Sequence, residues 1–191
     1  MTPTQQIYWH TTTHMPGEEN TITPLPEKVD VAVIGGGYTG LSAARTLAKR
    51  GVNVAVLETE TIGWGASSRN GGMTLTGLKL GLQTVIKRYG RDNARRLFQC
   101  SIESVDTVEQ IVKEENIDCG FARYGHLLTA SKPAHYEGFK GEVDFMAKEF
   151  NHAVRLIPQK DLKSEIGSTI YHGALVDEVS GGLNPAQYVT G

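Results

Sequence analysis

The chain has 191 residues, 39% hydrophobic and 21% charged, which is enough apolar material for a packed core and too much for a disordered segment. A formal net charge of −2 supplies no basic face for nucleic acid and no polybasic membrane anchor. The longest apolar runs fall far short of a membrane span.

Residues 1–29 are polar and carry Pro16, Pro24 and Pro26, a composition that predicts an extended arm. The start lacks the charged and apolar regions of a secretory signal, so a cytoplasmic setting is expected. His10 and His14 have a ligand-like spacing, but the run Thr11-Thr12-Thr13 between them is a poor helix former and no further ligand lies close in sequence. No metal site is expected. Cys100 and Cys119 make no CxxC pair and read as reduced thiols.

Val31-Ala32-Val33-Ile34 is a short, continuously apolar run, which predicts a fully buried parallel strand. A glycine turn follows, then a helix from about Thr39 to Arg50 whose Leu41, Ala44, Leu47 and Ala48 share one face. Gly51 ends that helix, and Val52 to Leu57 read as a second strand. Two parallel strands joined this way require a right-handed crossover.

Residues 59–81 are rich in glycine and hydroxyl side chains and predict a long irregular loop, usually a functional feature in a compact protein. Ala94, Leu97, Phe98, Ser101, Ile102, Val105, Val108 and Val112 recur at three- and four-residue steps, the pattern of a helix packed on a core. From Asp118 the texture changes. Tyr124 to Ala130, Ala153 to Ile157 and Ile170 to Val176 suggest strands, and Pro133 to Phe150 suits a helix with proline in its first turn. Asn184-Pro185-Ala186 is a helix start, with Asn as N-cap and Pro at the first helical position. The sequence ends at Gly191, little more than a turn later, and its first part shows only two of the strands that a doubly wound sheet needs. Both observations predict the N-terminal part of a longer chain.

The chemistry centres on Gly35-Gly36-Gly37-Tyr38-Thr39-Gly40. This GxGxxG follows a strand, opens an amphipathic helix and precedes a second strand that ends at Glu58, the context the dinucleotide-binding fingerprint requires. Gly35 allows the tight turn, Gly37 lets the backbone approach a pyrophosphate, and Gly40 lets the helix pack closely on the sheet. The helix then turns free N–H groups, at Tyr38 and Thr39 among others, toward the phosphates. Glu58 can accept hydrogen bonds from ribose hydroxyls and would repel a 2′-phosphate. NAD and FAD both fit this pattern. The segment Ile62-Gly63-Trp64-Gly65-Ala66-Ser67-Ser68-Arg69-Asn70-Gly71-Gly72-Met73 favours FAD, because it can lay N–H groups, hydroxyls and a cation along an extended phosphate-bearing ligand.

VAVIGGGYTGLSAARTLAKRGVNVAVLE followed by GWGASSRNGG resembles the FAD-dependent D-amino-acid-oxidase-type superfamily, nearest the branch with glycine and sarcosine oxidases and γ-glutamylputrescine oxidoreductase. Tyr8-Trp9, YGHLLTAS and GGLNPAQYV look like the last of these groups, so the likeness covers nearly the whole chain. RNGG is its most specific part. Ser68 departs from it, standing where glycine is expected in that group.

The resemblance implies an α/β architecture: a Rossmann-like, discontinuous FAD-binding domain, represented by its N-terminal portion, and the beginning of a mixed-sheet α+β substrate domain. Its expected boundaries are 30–118 for the first part of the FAD-binding domain, 119–179 for the start of the substrate domain and 180–191 for the return. It further implies FAD contacts from Gly35, Gly37, Tyr38, Thr39, Gly40 and Glu58, and a loop of Ser67, Ser68, Arg69, Asn70, Gly71, Gly72 and Met73 running toward the flavin ring. Arg69 serves either a phosphate or the ring's negative charge. The implied reaction oxidises the C–N bond of an amine or amino acid, with hydride transfer to flavin N5 and hydrolysis of the imine, and oxygen or another acceptor reoxidising the flavin. No catalytic residue is assigned. His126 and Tyr124 are candidate wall residues, more readily explained as structural. The competing readings are an NAD-dependent dehydrogenase, a non-catalytic nucleotide-binding fragment, and a tRNA-modifying flavoprotein, the last disfavoured by the acidic balance.

Overall fold

A computed structural model describes residues 6–16 and 24–191; the rest of the expected arm, residues 1–5 and 17–23, lies outside the described residues. The elements in chain order are β1 (Val31–Ile34), α1 (Tyr38–Ala48), β2 (Val54–Leu57), β3 (Met73–Thr74), α2 (Leu82–Tyr89), α3 (Arg91–Glu114), β4 (His126–Thr129), α4 (Pro133–Phe150), β5 (Arg155–Pro158), β6 (Gly173–Asp177), β7 (Gly181–Gly182) and α5 (Pro185–Thr190). Single 3-10 turns occur at Tyr8–Thr11, Ala66–Ser68 and Gln159–Ser164. Among the described residues no helix is long and apolar enough to cross a membrane.

The chain divides into two compact units. The first comprises the described residues of Met1–Gly72, with Ile111–Gly120 and Leu183–Gly191; the second comprises Met73–Gln110 and Phe121–Gly182. Residues 73–110, which the sequence groups with the first domain, therefore cluster with the second unit.

In the first unit β1 and β2 pair in parallel, Val31 against Val54 through Ile34 against Leu57, and α1 packs on them. Gly51 closes α1 with φ +79, a backbone angle glycine adopts without a Cβ penalty. The fully buried strand expected at 31–34 is not what forms. Val31 and Val33 are half-buried on one face, while Ala32 and Ile34 face outward and Ile34 is 88% exposed. An apolar run is compatible with cover on both faces, but burial depends on which partners pack there, and only one face of this pair is covered among the described residues. The last turn of α3 is tied to α1 by Arg45, whose guanidinium lies 2.6 Å from both Glu114 and Glu115, and by Lys49 at 2.7 Å from Glu114. These are solvent-facing pairs of small energetic weight.

The second unit holds the principal apolar cluster. Ile157, Leu162, Ala174 and Val176 are buried there, with Leu127, Ile166 and Tyr171 packed against them. Its antiparallel sheet runs β4–β6–β5. The helix α4 has the expected bounds, with Pro133 in the first turn and Asn151 in the left-handed conformation as C-cap. Sequence periodicity did not reveal α2; Gly90, at φ +80, separates it from α3 and swings the chain between them. Phe98 of α3 packs against Phe150 and His152, with ring centroids 5.0 Å apart in each case.

Candidate functional site

The glycine turn between β1 and α1 has the geometry its sequence predicts. Gly35 sits at φ +102, in the region that L side chains rarely adopt, and its N–H donates to the Leu57 carbonyl at 2.8 Å, extending the strand pairing into the turn. A Cβ at Gly40 would stand 2.0 Å from the Gly35 carbonyl oxygen, so only glycine lets α1 start this close to the strand. Gly37 is the N-cap and has no side chain to cap with. The first-turn N–H groups of α1 therefore depend on partners outside the helix.

Two side chains from elsewhere in the unit meet this turn. Glu58, just past β2, accepts the Gly36 N–H through Oε2 at 2.7 Å and the Glu60 N–H through Oε1 at 3.1 Å. Those main-chain donors, Gly36 foremost, hold the carboxyl below the usual carboxylate range. A carboxylate has about four acceptor positions, so two bonds leave capacity for a ligand. Ser67 Oγ accepts the Tyr38 N–H at 3.0 Å, binding the glycine-rich loop directly to the helix N-terminus.

The loop is held by its own side chains. Asn70 Nδ2 donates to the carbonyls of Ala66 (3.1 Å) and Ser67 (3.0 Å), and Asn70 Oδ1 accepts the Gly72 N–H at 2.8 Å. Gly72, at φ +69, lies against the chain leading into α5: a Cβ there would come within 2.1 Å of the Leu183 oxygen, and the Leu183 N–H donates to the Gly72 carbonyl at 2.8 Å. Asn184 caps α5 through its side-chain oxygen, which accepts from the Ala186 and Gln187 N–H groups. Tyr38 donates its hydroxyl to the Pro185 carbonyl at 3.1 Å and tilts against Tyr188, the ring centroids 5.3 Å apart. Burial, partly offset by Asn70, pushes the Tyr38 phenol up from its ordinary value, so it remains a donor.

The turn, Glu58 and the loop from Ser67 to Gly72 thus converge in one unit. Arg69 Nε donates to the Trp64 carbonyl at 2.6 Å, and its guanidinium stacks 4.2 Å above the Trp64 ring. Ser68 is fully buried, with its hydroxyl 2.7 Å from His10 Nε2. Met73 begins β3 in the second unit, opposite Gly182, and is largely exposed. In the same unit Tyr124 is 82% exposed, and His126 lies opposite Asp177 in the β4–β6 ladder. The cap at Asn184 and the proline at the start of α5 are as the sequence predicts, whereas the contacts of Tyr38 with Pro185 and Tyr188, and the docking of the N-terminal turn, are not legible in it. Of the adjacent aromatics Tyr8-Trp9, only Trp9 docks on the loop, through its indole N–H, while Tyr8 is 68% exposed.

Residues 30–191 match the family described as DAO, FAD dependent oxidoreductase. The chain is 33% identical over 187 residues to the gamma-glutamylputrescine oxidoreductase of Escherichia coli, covering 95% of this chain and 44% of that protein. It is 36% identical over 166 residues to a probable oxidoreductase OrdL of Haemophilus influenzae, covering 86% of this chain and 38% of that one. Among solved structures, L-proline dehydrogenase from P. horikoshii superposes with a TM-score of 0.60 at 27% identity, covering 87% of this chain and 41% of that chain. The chain therefore spans about two-fifths of the length of these relatives.

Proposed function

The chain belongs to the family of FAD dependent oxidoreductases, and from that premise we propose that its first unit holds the adenosine and pyrophosphate portions of FAD in an enzyme that oxidises the C–N bond of an amine or amino acid. The observation that carries this reading is the convergence of the Gly35–Gly40 turn, Glu58 and the Ser67–Gly72 loop within one unit. A helix N-terminus without its own side-chain cap suits an anionic ligand.

In this reading the N–H groups of Thr39 and Gly40 face a pyrophosphate, and the remaining lone pairs of Glu58 take ribose hydroxyls. Gly37 leaves the approach open where any larger residue would also crowd Ser67 Oγ, 3.0 Å from a Cβ at that position. The Ser67–Met73 backbone runs on toward the ring, and Asn70 keeps it in one conformation. FAD, when bound, supplies the two-electron acceptor for the C–N bond. In this reading the first unit binds and orients the cofactor, and the second unit, whose residues begin at Met73, meets the substrate. A cytoplasmic setting and reoxidation by oxygen or another acceptor belong to the same proposal.

The test uses the holoprotein expressed from its complete reading frame. It should purify yellow, release FAD rather than FMN, and lose its oxidised flavin spectrum anaerobically with an N-substituted glycine or a γ-glutamylated diamine. A folded, colourless protein, or one carrying NAD, overturns the cofactor assignment. A flavin untouched by a broad amine panel but reduced by a hydroxy acid or glycerol phosphate overturns the substrate class.

A further inference from the structure

We propose that the N-terminal turn Tyr8–Thr11 is a strap that holds the flavin loop in its binding conformation, with His10 and Trp9 as positioning residues. The inference rests on the reading of Ser67–Gly72 as that loop.

Asn70 and Ser67 tie the loop to itself and to α1, but glycine-rich backbone loses much freedom on ordering. Two further anchors come from the arm. Trp9 Nε1 donates to the Asn70 carbonyl at 2.7 Å, across 61 residues of sequence. His10 Nε2 pairs with Ser68 Oγ at 2.7 Å, across 58 residues. These two bonds grip the loop on either side of Arg69. Ser68 has no exposure, so its hydroxyl needs a protein partner and His10 is the one it has on the arm.

The arm is itself fixed. Thr12 Oγ1 accepts from Asn184 Nδ2 at 2.8 Å, Met15 is buried at 4% exposure, and α5 packs against both the Tyr8–Thr11 and Ala66–Ser68 turns. Ser68 is covalently next to Ser67, whose hydroxyl holds the first N–H of α1. A loosened strap therefore reaches the phosphate-facing end of the helix through two adjacent serines. It also accounts for serine at position 68, where the resemblance led to an expectation of glycine: this chain has a histidine positioned to use the hydroxyl.

The experiment is an FAD titration of apoprotein from the complete reading frame, followed by flavin fluorescence, with thermal melts of each apo form. His10→Ala should raise the FAD Kd by on the order of tenfold, the size of one lost hydrogen bond to a buried group. His10→Gln, which restores a polar atom at that reach, should return close to the parent. Trp9→Phe removes only the indole donor and should weaken FAD less than His10→Ala does. In a Ser68→Gly background His10→Ala should have little further effect, because coupled residues are not additive. Melting temperatures of the apo forms should move little, whereas a purely structural arm would move them and leave Kd alone. Parent-like Kd in both His10→Ala and Trp9→Phe, or full additivity with Ser68→Gly, overturns the strap. Gly37→Val is the separate control: it should abolish FAD retention, and if it does not, the placement of the cofactor fails rather than the strap.

Discussion

The carboxylate of Glu58 accepts the main-chain N–H of Gly36 at 2.7 Å, so the acid at the end of the second strand is bonded to the glycine turn at the end of the first. The parallel register places Ile34 beside Leu57, which brings the residues following each strand together. Glu58 thus braces the turn, and in the proposed function its remaining lone pairs take the ribose hydroxyls. In the fingerprint the acid serves as a ribose ligand; here two main-chain N–H groups also fix its orientation.

This relationship predicts a graded response at position 58. Glu58→Ala removes both the brace and the acceptor and should weaken FAD binding on the order of tenfold. Glu58→Gln keeps an oxygen for the Gly36 N–H and should weaken it less. The main-chain donors hold the Glu58 carboxyl below its ordinary value. Its contribution should therefore be constant above the ordinary Glu pKa of about 4.3 and be lost only as pH falls through the lower folded value. Titrations of the parent and Glu58→Ala across this range check both points. Equal affinity in the two proteins at neutral pH would remove Glu58 from the site.

Gly40→Ala should be destabilising irrespective of ligand. The new Cβ would meet backbone, the Gly35 carbonyl oxygen at 2.0 Å, with Val33 behind it at 3.2 Å. Neither is the free end of a flexible side chain, so α1 must lift from β1, at a cost of about 1–3 kcal/mol by analogy with overpacked cores. Urea melts of the apo form read this directly. A midpoint equal to the parent's would mean that the helix has room to shift which the close contact denies.

These features were legible because they are local. The left-handed angle at Gly35, the proline in the first turn of α4 and the capping Asn184 each act within a few residues, and sequence records them. The strap was not legible. Its bonds span 58 and 61 residues, and nothing in the periodicity of Tyr8–Thr11 names Ser68 or Asn70 as partners. The helix α2 is eight residues long, too short a window for a firm periodic signal. The exposure of Ile34 is not legible for a related reason: four apolar residues specify a strand, while the number of its covered faces depends on what packs there.

The second unit carries a buried polar cluster with a definite pH signature. Asp177, at the end of β6, accepts the Thr76 hydroxyl through Oδ2 and the Val179 N–H through Oδ1 at 3.0 Å. His152 Nε2 lies 3.2 Å from Oδ1, within ion-pair range but off the line of a hydrogen bond. Burial pushes the Asp177 carboxyl up, yet the groups around it, His152 first and then Thr76 and the Val179 N–H, outweigh burial and hold it below its ordinary value. A carboxyl depressed in the folded state contributes stability in full above its unfolded pKa, about 3.9 for Asp, and loses it as pH falls through the folded value. Asp177→Asn should therefore cost stability at neutral pH, about 1–3 kcal/mol for a charged hydrogen-bonding group removed from partly buried partners. The gap between the parent and Asp177→Asn should hold steady from neutral pH down to the ordinary carboxylate range and close below it. Urea midpoints of the holoprotein and its Asp177→Asn variant, taken through the acid range, check the sign. A gap that widened on acidification would mean that Asp177 is protonated in the fold and that the Thr76 and Val179 bonds are made to a neutral acid.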